Sequence, residues 1–160
     1  MTISTSYFYH VRNLWPNQIP VSTAVWDPKW FHNFKGQDEI FFDKRGVING
    51  VRAEFFAPDE TCRDLCMGRE RCFADPSSCA FLMRYSKQLD GLDFTKVVRA
   101  FNNIAEGMCG IFRDNGICIQ SADIEFVLLF HETPDNVCSE RGVVQTWFAR
   151  NGMTITELFH

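Results

Sequence analysis

Glu132, Cys138, Ser139 and Arg141 stand within ten residues of one another, immediately after the most apolar run of the chain at 126–130. If that run is a strand, these residues lie at its carboxyl end, where a loop feeds the start of a helix and where open α/β sheets bind their ligands. The free N–H groups of a helix start attract anions, and a guanidinium in the first turn adds a planar fork suited to phosphate or carboxylate. Arg141 is therefore expected to bind an anion, with Ser139 and His131 beside it; the alternative is an arginine paired within the structure. Glu132 is either a general acid or base or a salt-bridge partner of Arg141. Cys138 is either a thiol of lowered pKa, fit for nucleophilic or redox chemistry, or a small buried apolar residue.

A second group is Cys62, Cys66, Cys72 and Cys79, four thiols within eighteen residues. They fall in a segment, 57–78, with no periodic apolar pattern. Four soft ligands on such a segment suit one Zn²⁺ or an iron–sulfur cluster. The spacing lacks paired C-x2-C knuckles, so separate unligated thiols are the alternative. Arg63, Arg69 and Arg71 lie among these cysteines and form a local basic patch. Trp26, Trp30, Phe31 and Phe34 read either as a stacking wall for a base or sugar, with Trp30 as a ligand contact, or as core. His10, His32 and His160 show no ligand spacing. The dinucleotide, Walker, nucleophile-elbow and zinc-protease motifs are absent from the sequence.

The elements that must position these groups follow from pattern. Residues 19–26 read as a buried strand ending in a loop, and Asp27-Pro28 is fit to open a short helix carrying Trp30, Phe31 and Phe34. Residues 40–42 and 51–56 read as two strands of a hairpin, turned by Gly46 and Asn49-Gly50. Asp75-Pro76 opens a helix with Cys79, Leu82, Met83, Ser86 and Leu89 on one face, stopped by Gly91. Asp93 caps the next, whose stripe is Phe94, Val97, Val98, Phe101, Ala105 and Met108, ended by Gly107 and Gly110. The run at 124–130 reads as a central strand covered on both faces. A helix starting between Pro134 and Ser139 buries Val143, Val144, Trp147 and Phe148. Residues 153–158 alternate as a last, edge strand. The order implies a single α/β domain over 1–160, a Rossmann-like three-layer sandwich with a partly parallel sheet and a cysteine-rich insertion.

Composition bounds the function. The chain has 160 residues, 46% of them apolar, which is enough to fold without a disulfide or metal. Its net charge of −4 argues against a sequence-independent nucleic-acid coat, which needs clustered Lys and Arg. No apolar run approaches the roughly 18 residues that span a membrane. The first residues lack a basic segment followed by an apolar core, so the expectation is a cytoplasmic protein, with no membrane partner and cysteines that are reduced thiols or metal ligands.

The stretch from Phe126 through Glu132, Pro134 and Asp135 to Ser139, Glu140 and Arg141, then Trp147 and Asn151-Gly152, resembles the C-terminal motif of the domain-of-unknown-function 488 family. There an apolar strand ends in a glutamate, and a Cys-His-Arg or Cys-Glu-Arg triplet opens a helix. Pro20 to Ala24, with Pro28 and Trp30 after it, looks like that family's first strand and loop. Cys79, Phe81, Leu82, Tyr85 and Leu89 are similar to its middle helix. The resemblance implies that Glu132 and Arg141 are site residues. Ser139 stands where the family's usual cysteine would be, with Cys138 one place earlier, and one residue on a helix turns a side chain by about 100°. It also implies a cysteine-containing subset, some of it phage-type, and a Rossmann-like domain linked to nucleotide or nucleic-acid metabolism.

Two functions are expected from these residues. One is binding of a phosphate-bearing ligand, a nucleotide or nucleic-acid end, with Arg141 holding the anion and Glu132 as acid or base in any catalysis. The other, from a different class, is a non-catalytic interaction module stapled by metal at the four cysteines.

Overall fold

Glu125–Phe130 forms the middle strand of a five-stranded sheet, because five consecutive large apolar residues can be buried only where both faces are covered. The computed structural model describes residues 1–31, 40–66 and 75–158. The strands are β1 (Thr2–Tyr7), β2 (Gln18–Ser22), β3 (Val51–Arg52), β4 (Glu125–Phe130) and β5 (Thr156–Glu157), in spatial order β3-β2-β4-β1-β5. All pairings between them are parallel, so the sheet is parallel throughout rather than in part. Pro20 is tolerated in β2 because pairing with β3 begins only at Val21, and before that β2 has β4 alone as its neighbour.

Alternation along the strands sorts side chains between two cores. Phe126, Leu128, Phe130, Ile19, Val21 and Ile3 face one side. There they meet α2 (Ala80–Asp90), α3 (Phe94–Asp114) and α4 (Glu140–Arg150). Val127 and Leu129 face the other, where Phe8, Leu14, Ala24, Phe31 and Val47 cover them. Among the described residues, that second layer is built from a 3₁₀ turn, Phe8–Asn13, and loops instead of α-helices.

Several sequence expectations are corrected. β1 lies in a Ser/Thr-rich segment that shows no apolar pattern. The hairpin over 40–56 does not form: Phe42 makes a single antiparallel bridge to Ile48, and Val51–Arg52 instead extends the parallel sheet beside β2. Pro28 starts no helix through Phe31, and Phe34 lies outside the described residues. α3 runs through Gly107 and Gly110 to Asp114, since the buried stripe Val97, Phe101, Ala105, Met108 and Phe112 outweighs about 1 kcal/mol per glycine. Asp75 caps a separate 3₁₀ turn, Pro76–Ser78, and Cys79 is the N-cap residue of α2. The edge strand at the end of the chain and the α4 face bearing Val144, Trp147 and Phe148 form as expected. Among the described residues no helix is long and apolar enough to cross a membrane.

Candidate functional site

The chain leaves β2 along the face that carries Ala24, Phe31 and Val47, and leaves β4 into α4 on the opposite face. Adjacent parallel strands whose connections part in this way open a crevice at their carboxyl ends. A cleft of about 370 Å³ lies there. Ala24, Val25 and Trp26 enter it from the end of β2, and His131 and Glu132 from the end of β4. Arg63, just past the middle of α1 (Glu60–Asp64), and Cys66 line a further wall. Cys79, Phe81 and Leu82 come from the start of α2, and Asn136, Cys138 and Glu140 from the approach to α4. Among the described residues, three larger depressions, about 640 Å³ beside the end of α3, about 510 Å³ between α2 and α4 and about 410 Å³ at the starts of β1 and β4, lie away from this crevice.

The cleft has two chemically distinct poles. At one, the Trp26 ring is 71% exposed, and the Arg63 guanidinium carbon stands 5.6 Å from its centroid. Arg63 Nε is buried and has no hydrogen-bond partner among the described residues. At the other pole, Glu132 Oε2 accepts a hydrogen bond from Ser139 Oγ at 3.1 Å. Glu140, the first residue of α4, is partly buried; burial foremost, and then the charge of Glu132, push its carboxyl pKa up to about 7. Glu140 belonged to the expected segment but was assigned no role in the sequence. The available signal was its position beside Glu132 at a helix start.

Arg141 does not face the cleft. Its side chain is buried, with Nη1 donating to the Thr133 carbonyl at 3.1 Å and Nη2 to the carbonyls of Glu132 at 2.6 Å and Ser6 at 3.3 Å. Its Nε forms an ion pair with Glu157 at 2.9 Å. Glu157 in turn accepts from Thr5 Oγ1 at 2.7 Å, and Gln145 donates to Thr5 Oγ1 at 2.7 Å. The expected anion ligand is thus a tie between β1, β5 and the loop after β4. Ser139 is likewise engaged internally: its Oγ caps α4 by accepting from the Arg141 amide at 3.2 Å.

His131 does reach the cleft, but its Nε2 donates to the Trp26 carbonyl at 2.8 Å and its ring packs against Phe8 at 4.9 Å. It joins the two loops that frame the crevice. Ser22 Oγ donates to Asp27 Oδ1, and Arg52 Nη2 donates to the Val25 carbonyl at 2.7 Å, fixing the β2 loop from below. Trp30 lies outside the cleft, in edge-to-face contact with Tyr9 and Phe31, and lines a separate shallow depression with Phe41.

The four-cysteine group divides. Cys66 and Cys79 share the cleft with Cys138, a placement the spacing did not indicate. Cys62 is buried and directs its Sγ to Gln88 Oε1 at 3.4 Å, and burial pushes its thiol up to about 11. Cys72 lies outside the described residues, as do Arg69 and Arg71. Among the described residues no group of three or more His, Cys, Asp or Glu side chains is placed to hold a metal ion.

Comparison with protein-family models, with curated proteins and with solved structures finds no match to this chain.

Proposed function

We propose that this chain binds a phosphate-bearing, ring-containing ligand, a nucleotide or a nucleic-acid end, in the cleft at the carboxyl ends of β2 and β4. The observation that carries the reading is the position of that cleft, between adjacent parallel strands whose connections leave for opposite faces. The exposed face of Trp26 supplies a platform on which a base can stack, a contact worth about 1–3 kcal/mol. Arg63 takes the anion-binding part expected of Arg141, since its Nε is desolvated and has no acceptor among the described residues. A buried donor in that state gains most from a ligand oxygen. The same reading treats the architecture as a Rossmann-like sandwich with 57–78 as a cysteine-rich insertion, and keeps the resemblance to the domain-of-unknown-function 488 family as part of the proposal.

A melting-temperature screen against nucleoside monophosphates and short oligonucleotides tests it. A ligand present at 100 times its Kd adds about 2.7 kcal/mol, which raises Tm by about 5–10 °C in a chain of this size. Arg63→Ala and Trp26→Ala should each reduce that rise. No response from any member of the panel would overturn the reading.

A further inference from the structure

We propose that the cleft cleaves the N-glycosidic bond of a nucleotide, with Glu132 as the nucleophilic carboxylate and Glu140 as the proton donor. The inference rests on the nucleotide reading above and names the reaction that the same site performs.

The charge lining the cleft decides between reaction classes. Its described lining holds two carboxylates, Glu132 and Glu140, against one guanidinium, Arg63. Phosphoryl transfer spreads negative charge over the phosphoryl oxygens and calls for several cations around them. The described lining offers the reverse. Breaking a glycosidic bond makes the sugar carbon positive, as an oxocarbenium-like species, and paired carboxylates stabilise that charge. The two carboxyl groups also differ in environment, as an acid and a nucleophile must. Ser139 Oγ donates to Glu132 Oε2 at 3.1 Å, which orients that group. Glu140 lines the same cleft, and its carboxyl is pushed up to about 7 by burial and then by the Glu132 charge, so about half of it is protonated at neutral pH. The Arg63–Trp26 pole accommodates phosphate and base, and Ser139, itself fixed as the cap of α4, holds the carboxylate pole in register with the helix.

The chemistry closes with water as the only co-reactant. Glu132 adds to the anomeric carbon as the carbon–nitrogen bond breaks; the bond pair leaves with the base, whose nitrogen takes the Glu140 proton. The sugar phosphate is then held as an ester of Glu132. Water attacks the same carbon, giving its proton to Glu140, and the ester bond breaks to restore the Glu132 carboxylate. The products are a free base and a sugar phosphate, and both glutamates return to their starting states.

The test incubates the full chain with each ribonucleoside and 2′-deoxyribonucleoside 5′-monophosphate, measures free base by chromatography, and records the melting shift of the same mixtures. Base release from at least one nucleotide is expected. It should fall at least 100-fold in both Glu132→Gln and Glu140→Gln while the ligand-induced melting shift persists. A nucleotide that raises Tm without releasing base overturns the reaction and leaves the binding reading standing. The absence of any melting shift overturns both. Release at an undiminished rate in Glu140→Gln overturns the assignment of the acid, and this variant alone decides the matter if Glu132→Gln fails to fold.

Discussion

Arg141 Nη2 donates to the main-chain oxygen of Glu132 at 2.6 Å, so the residue that shapes one wall of the cleft is held from behind by a buried cation. The same guanidinium reaches Ser6 and Thr133 and pairs with Glu157, joining β1, β5 and the loop after β4. Removing it strands the Glu157 carboxylate in the interior, a loss of about 3–5 kcal/mol for a broken buried pair. Arg141→Met should fall by that amount in urea denaturation at pH 7, and Arg141→Met combined with Glu157→Gln should recover part of it. A single variant within about 0.5 kcal/mol of the parent would show that Arg141 is no tie at all.

Glu140 makes stability depend on pH in a definite direction. Its folded pKa of about 7 lies above the ordinary carboxylate value of 4.5, so the native state holds the proton more tightly than the unfolded chain. No penalty exists below the unfolded value, where both states are protonated. Between about 4.5 and 7 the unfolded chain ionises first, and folding stability declines until the native carboxyl ionises as well. Glu140→Gln removes this decline. A tenfold difference in proton affinity between the two states corresponds to about 1.4 kcal/mol, and the solvent contact that the carboxyl keeps screens part of it. The variant should therefore match the parent near pH 4 and exceed it by about 2 kcal/mol at pH 8. Paired melting curves at the two pH values measure the difference directly. An equal gap at both would refute the raised carboxyl.

The elements that bury one continuous apolar face were legible in the sequence, because periodicity reports burial. β4, α2 and α4 were found on that signal. β1 was not, since its buried Ser4, Thr5 and Ser6 carry no hydrophobic pattern. Thr5 and Ser6 are satisfied by Glu157 and His10, groups remote or irregular in the chain. The turn residues of 40–56 were legible as turns and misleading as a hairpin. Gly50 is needed for close packing: a Cβ there would lie 2.2 Å from Phe31 Cζ, a contact between segments nineteen residues apart. For the candidate site, the sequence placed Glu132 at a strand's carboxyl end, where it lines the cleft, and left Arg141 open between an anion ligand and an internally paired arginine; the structure pairs it internally. Which of two arginines is internal depends on acceptors contributed by β1 and β5, and no local spacing encodes them.

The cysteines should differ sharply in reactivity, in a way that separates the four-thiol group. Cys62 is fully buried on α1, donates to Gln88 and has its pKa pushed up to about 11, chiefly by burial and then by its contact with Asp59. Only thiolates alkylate, and the thiolate fraction falls tenfold for each step of pH below the pKa, so at pH 8 about one Cys62 in a thousand is in the reactive form. Cys66 is exposed at the cleft. Timed treatment of the folded protein with iodoacetamide, followed by peptide mass mapping, should label Cys66 at least 100-fold faster than Cys62. In denaturant the two rates should converge, because the difference comes from the fold and not from neighbours in the chain. Equal labelling of the folded protein would mean that Cys62 is not enclosed between α1 and α2, and that the wall of the cleft carrying Arg63 is not anchored as described.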